Sequence, residues 1–155
     1  MNKTLEPIAD FNRIAGFPQE PRDLHDSDVL FQMKLIDEEF KELHEAHESG
    51  NITDTLKEAA DLIVVAAGLM HRLGYDPDQV MDVVNSSNMS KFCETEDLAI
   101  ESVQQLKDSE SHRYENIHYE KVGSYYVIYG TPIGKTGKKI LKGTDYWKVR
   151  PEHFR

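Results

Sequence analysis

Four carboxylates stand out by their spacing: Glu39 and Glu42 lie three residues apart, and so do Glu58 and Asp61. Residues three apart share one face of a helix. With an advance of ~100° per residue, Glu39 falls between Leu35 and Leu43, at the edge of a stripe that holds Ile36 and Phe40. Glu58 falls between Leu62 and Val65, within the apolar face of its own helix, with Asp61 at the rim of that face. Acidic side chains ordinarily cover solvated surface. Both pairs here point toward the interior of a bundle, where unpaired charge is costly. Lys57 is the one cation at hand on the second helix, and it lies off the apolar face. Clustered carboxylate oxygens are better satisfied by a hard divalent ion, Mg²⁺ with Mn²⁺ as a possible substitute. Facing helices of a bundle can supply such a site.

The elements that must position these groups follow from periodicity and punctuation. A short helix is expected over about 4–14, ended by Gly16, Pro18 and Pro21. Asp26, Ser27 and Asp28 offer N-caps to a long helix over about 28–48, whose stripe is Val29, Met33, Ile36, Phe40 and Leu43. Gly50 and Asn51 close it. Thr53 is the expected cap of the most apolar helix, about 54–73, and Gly74 ends that helix. Asp76-Pro77 opens a fourth helix reaching about Cys93. A fifth covers about 95–107, followed by a polar loop over 108–113. The β-formers of 114–119 and 125–129 flank Gly123 and predict a hairpin. Glycines and lysines from Gly130 to Gly143 then form a long basic loop. The expected fold is an all-α helical bundle of four to five helices with a small C-terminal β-hairpin and basic loop. Residues 1–113 form the helical catalytic bundle, and 114–155 the hairpin and basic tail packed on the same domain.

Composition narrows the classes. The 155 residues suit one domain with a sizeable core, and 39% hydrophobic content argues against a wholly disordered chain. A single cysteine, Cys93, excludes a disulfide framework and a four-thiolate metal site. The net charge of −10 disfavours a nucleic-acid coat. That charge is unevenly placed: residues 1–120 hold 10 basic and 26 acidic groups, residues 121–155 hold 8 and 2. The segment Met1 to Ala9 has no apolar export core. The longest apolar run, Leu62 to Met70, is far short of the ~20 residues that span a bilayer. A cytoplasmic protein without membrane contact is expected.

Leu35-Ile36-Asp37-Glu38-Glu39-Phe40-Lys41-Glu42-Leu43, followed by Glu58-Ala59-Ala60-Asp61-Leu62, resembles the hallmark of the MazG-like all-α nucleoside triphosphate pyrophosphohydrolases. Asp10-Phe11, Ala15-Gly16 and Pro18 are similar to that superfamily's N-terminal segment. The run from Asn85 to Phe92, and Gly137 to Gly143 with Tyr146, resemble the phosphoribosyl-ATP pyrophosphohydrolase branch. The resemblance implies cleavage of a nucleoside triphosphate between its α- and β-phosphates, with metal ions held by Glu39, Glu42, Glu58 and Asp61. Glu38 would bind a second ion or act as base for the attacking water, although it falls off the apolar stripe. Asn88 and Lys91 share a helix face and would meet phosphate or base, with Asn85 beside them. Lys138 and Lys142 would reach the β- and γ-phosphates. The resemblance places the base against Ile8 or Phe11, though Phe11 equally suits the core. Members often carry Phe-His where this chain has Phe11-Asn12, so Asn12 bears on substrate preference.

Other motifs carry less. Gly130 to Thr136 has three residues between its glycines and no helix pattern after it, unlike a phosphate-binding loop. His44 and His47 are three apart, not four, and read as surface residues. Cys93 reads as a structural thiol, and Tyr125, Tyr126 and Tyr129 as hairpin packing. The leading expectation is thus a Mg²⁺-dependent nucleotide pyrophosphohydrolase, leaning to a purine deoxynucleotide such as dGTP. Phosphoribosyl-ATP pyrophosphohydrolase itself is one alternative. A non-catalytic helical protein whose basic tail binds nucleic acid is another, but it leaves Glu58 within an apolar face unexplained. Broad apolar stripes on short helices imply a homodimer or homotetramer.

Overall fold

Asp26 begins α2 (Ser27–Glu48) by accepting a hydrogen bond from the Asp28 backbone N–H at 2.9 Å. The computed structural model describes residues 3–154, so Met1 and Asn2 of the N-terminal segment and Arg155 of the basic tail lie outside the described residues. α1 spans Glu6–Ile14, α3 Ile52–Arg72, α4 Pro77–Met89 and α5 Glu96–Ser109. Strands β1 (Tyr114–Val122), β2 (Tyr125–Pro132) and β3 (Lys139–Ile140) follow, with a 3-10 turn at Pro151–Phe154. Among the described residues, five helices and one small antiparallel sheet give the mainly helical fold the periodicity predicts. Two compact units divide the described chain, residues 3–82 with 154 and residues 83–153, the boundary falling inside α4. Compactness is a different criterion from the change of element class near 113.

In the first unit α2 packs on α3 and α1 packs on α3. The cap of α3 is Asn51 rather than Thr53: its side chain accepts from the Asp54 N–H at 3.1 Å. Only residues 49–51 separate α2 from α3, a connection short enough to make them antiparallel neighbours. The expected core stripe of α2 is only partly buried. Val29 is 2% exposed, whereas Met33 and Phe40 are 43% and 53% exposed. α4 begins as expected, with Asp76 accepting from the Asp78 N–H and the Asp78 carboxylate in turn accepting from the Leu5 N–H.

In the second unit the sheet runs in the order β1-β2-β3. The hairpin is longer than expected, and the basic loop contributes a third strand, with Tyr129 opposite Ile140 and Gly130 opposite Lys139. A register shift between Glu115 and His118 is absorbed at Asn116, whose φ is 53°, a conformation asparagine tolerates better than most residues. α4 ends at Met89, short of Cys93, because later backbone finds distant partners. The Lys91 carbonyl accepts from Gly143 at 3.0 Å, and Cys93 exchanges both backbone hydrogen bonds with Tyr126 at 3.0 and 2.8 Å. Cys93, Ala99, Ile117, Ile128 and Leu141 form the core of this unit. The Cys93 thiol, raised by burial above its ordinary value, is the structural group expected.

Candidate functional site

The α2–α3 pair brings together what the helical wheels placed on inward faces. Glu39, Glu58 and Asp61 each offer a carboxylate oxygen, and these oxygens lie within 4.8 Å of one another. Glu39 Oε2 and Glu58 Oε2 are buried and have no hydrogen-bond partner. Buried acceptors are almost always partnered, so two orphaned carboxylate oxygens in one place call for a cation. The outer side of the group is different. The Lys57 ammonium donates to Glu58 Oε1 and pairs with Asp61 Oδ2, each at 2.9 Å. Side-chain exposure rises outward, from 12% at Glu58 through 39% at Asp61 to 62% at Lys57.

The electrostatics agree with crowding. Burial pushes the Glu39 carboxyl above its ordinary value, and the charges of Glu42, Asp61 and Glu58 push in the same direction. Lys57 is held in its charged form by its hydrogen bonds to Glu58 and Asp61. One ammonium against three gathered carboxylates leaves the group net negative. Hard oxygen donors in that excess fit a divalent cation such as Mg²⁺ or Mn²⁺. Glu42 is exposed and lies outside the three-residue group, although near enough to raise Glu39. Glu38 is exposed.

Lys57 corrects the wheel. Its Cα lies off the apolar face, yet its long stem returns to the carboxylates. The i,i+4 spacing from Lys57 to Asp61 was the available sign. A second residue, Gln32, carried no such sign. It is 3% exposed and donates from Nε2 to the Val65 carbonyl at 2.8 Å. Gly68 makes room for it: a Cβ there would lie 2.7 Å from Gln32 Nε2 and 3.5 Å from Asn12 Nδ2. Asn12 is itself buried and donates to the Ile8 carbonyl at 2.9 Å. Ile8 is half-buried, and Phe11 is 66% exposed, which removes it from the core.

The remaining predicted contacts belong to the unit of residues 83–153. Asn85 and Asn88 are exposed, and the half-buried Lys91 donates to Asn88 Oδ1 at 2.8 Å. Lys138 donates to Glu120 at 2.6 Å and lies 4.0 Å over the Tyr129 ring. Lys142 lies 4.6 Å from the Tyr146 ring centre. The Lys138 hydrogen bond holds the Glu120 carboxyl below its ordinary value, with His118 adding to the effect. His44 and His47 are exposed. Among the described residues no helix is long and apolar enough to cross a membrane.

Residues 12–88 match the family model of phosphoribosyl-ATP pyrophosphohydrolase. An uncharacterized protein of Acanthamoeba polyphaga mimivirus is 32% identical over 101 residues, covering 64% of this chain and 38% of that protein. The chain therefore spans well under half the length of this curated relative. No solved structure matches.

Proposed function

We propose that this protein, whose residues 12–88 belong to the phosphoribosyl-ATP pyrophosphohydrolase family of the MazG-like superfamily, hydrolyses a nucleoside triphosphate to the monophosphate and pyrophosphate. The observation that carries this reading is the pair of buried, unpartnered oxygens of Glu39 and Glu58, gathered with Asp61 across α2 and α3. In the reaction a water oxygen forms a new bond to phosphorus and the bond between the α- and β-phosphoryl groups breaks. The water proton passes to a base, and pyrophosphate leaves. A bound Mg²⁺, or Mn²⁺ in its place, would supply charge neutralisation for the triphosphate and polarise the reacting oxygens. Glu39, Glu58 and Asp61 would hold it, with Glu42 contributing negative potential from outside. Glu38, exposed on the same helix, is the proposed base for water. Asn85, Asn88, Lys91, Lys138 and Lys142 are proposed to meet the nucleotide, and Ile8, Phe11 and Asn12 to face its base.

The preferred substrate is a purine deoxynucleotide such as dGTP. The family match also supports phosphoribosyl-ATP. Pyrophosphate release should therefore be measured across the common NTPs and dNTPs and phosphoribosyl-ATP, with Mg²⁺ and after EDTA. Release from at least one of them, abolished by EDTA and by Glu58→Gln with helical content unchanged, is the expected result. Undiminished turnover in EDTA, or in Glu58→Gln, would overturn the metal assignment.

A further inference from the structure

We propose that Lys57 is a tethered competitor of the metal ion: its ammonium occupies the outer oxygens of the carboxylate group until a divalent cation displaces it, and so sets how tightly that cation binds. The inference rests on the metal-site reading above. Two layers of oxygen make up the group. The inner layer, Glu39 Oε2 and Glu58 Oε2, is sealed from solvent and meets no donor. The outer layer, Glu58 Oε1 and Asp61 Oδ2, is shared by one ammonium at 2.9 Å from each. A divalent ion drawn to the inner oxygens must take its remaining protein ligands from the same two carboxylates that Lys57 holds. Both cations then repel at close range.

The covalent placement of Lys57 makes the competition intramolecular. It adjoins Glu58 in sequence and stands one helical turn before Asp61, so its ammonium cannot diffuse away. It can only swing outward on a flexible stem that is 62% exposed. A compact ammonium makes no planar demand on its acceptors, which lets it bridge two carboxylates and leave them without rearranging the helix. Metal-free, the same contact lessens the repulsion within the group. Lys57 is therefore expected to stabilise the empty site and weaken the filled one.

The test is Mn²⁺ binding, followed by the loss of free-ion electron paramagnetic resonance signal, with melting temperature in EDTA as a second readout. Lys57→Met should bind Mn²⁺ roughly tenfold more tightly, a size of effect known for groups that contact metal ligands. It should also melt below the wild type in EDTA. Lys57→Gln serves if the methionine variant fails to fold. Lys41→Met is the charge-matched control, since Lys41 pairs with Glu45 at 3.6 Å on the surface. It should change neither readout appreciably. Unchanged or weaker Mn²⁺ binding in Lys57→Met, beside a wild type that binds, would overturn the proposal alone. An equal tightening in Lys41→Met would also overturn it, by assigning the effect to net charge. Failure of wild type and variants alike to bind Mn²⁺ would overturn the metal-site reading, and this proposal with it.

Discussion

Glu39 has the opposite pH signature from the other perturbed glutamates. Glu6 and Glu120 are held below their ordinary values by hydrogen bonds to basic partners. Glu39 is held above its value of 4.5, first by burial and then by its acidic neighbours. The metal-free fold thus favours its protonated form. The stability this contributes is present below 4.5 and is lost as pH rises through the raised folded value. In EDTA, Glu39→Gln should therefore gain on the wild type as pH climbs from 4.5 toward neutrality, and the gain should level off above that range. Urea midpoints across pH measure it, and a flat difference would refute the assignment. Adding Mg²⁺ should reverse the ranking, because the amide gives up the charge that the ion needs. The inward placement of Glu39, Glu58 and Asp61 was legible because apolar periodicity fixes a helix face. The return of Lys57 was signalled only by its i,i+4 spacing to Asp61 and not by the apolar face, because a four-carbon stem can reach a group that its Cα does not face.

At the scale of elements, helix starts and most ends were legible, and the end of α4 was not. Start signals are local: Asp26 and Thr95 cap as their chemistry predicts, and Asp76 precedes Pro77 at the head of α4. Asn51 shows the limit, since it follows the Gly50 turn and also caps α3. The end of α4 depends on hydrogen bonds to residues about 33 to 52 positions further on, at Tyr126 and Gly143, which no local pattern encodes. Gly143 is the tight point of that arrangement. A Cβ there would lie 2.8 Å from Cys93 Sγ and 3.1 Å from the Lys91 carbonyl oxygen. Gly143→Ala should destabilise the protein by about 1–3 kcal/mol, the usual range for overpacking, read as a lower thermal midpoint. An unchanged midpoint would mean that the Cys93 side chain and the Lys91 carbonyl shift to admit the methyl group at little cost.

At the scale of the molecule, both units leave large apolar residues exposed. The unit of residues 83–153 has a core of buried hydrophobics. Ile100, Val122 and Ile133 of that unit are nonetheless about half exposed, and in the unit of residues 3–82 large apolar side chains stand exposed on α1, α2 and α3. Ile14 is 87% exposed, Phe31 and Phe40 are both 53%, and Leu56 and Ile63 are 66% and 57%. Isolated exposed hydrophobics are ordinary, but large apolar side chains exposed on each of α1, α2 and α3 are what contact with other copies would cover. A homodimer or homotetramer is the proposed state, with these faces covered by other copies. Light scattering should give two or four times the 17.8 kDa chain mass, and Phe31→Glu combined with Ile63→Glu should lower it. A monomeric wild type at micromolar concentration would refute the assembly. The net charge of −10 takes on a different meaning at this scale, because part of the acidic excess sits in a carboxylate group with buried oxygens and not on solvated surface.

The long-range clasp of Lys91 by Gly143, and of Cys93 by Tyr126, also orders events during synthesis. The α2–α3 pair can form once residue 72 has left the ribosome, since its connection is local. The second unit has to wait for residue 143, holding the apolar segments around Cys93 and Ile128 without their closing partner for much longer. Nascent chains arrested with residue 130 but not residue 143 outside the ribosome should therefore be protected from protease over α2 and α3 while still being cut within residues 90–130.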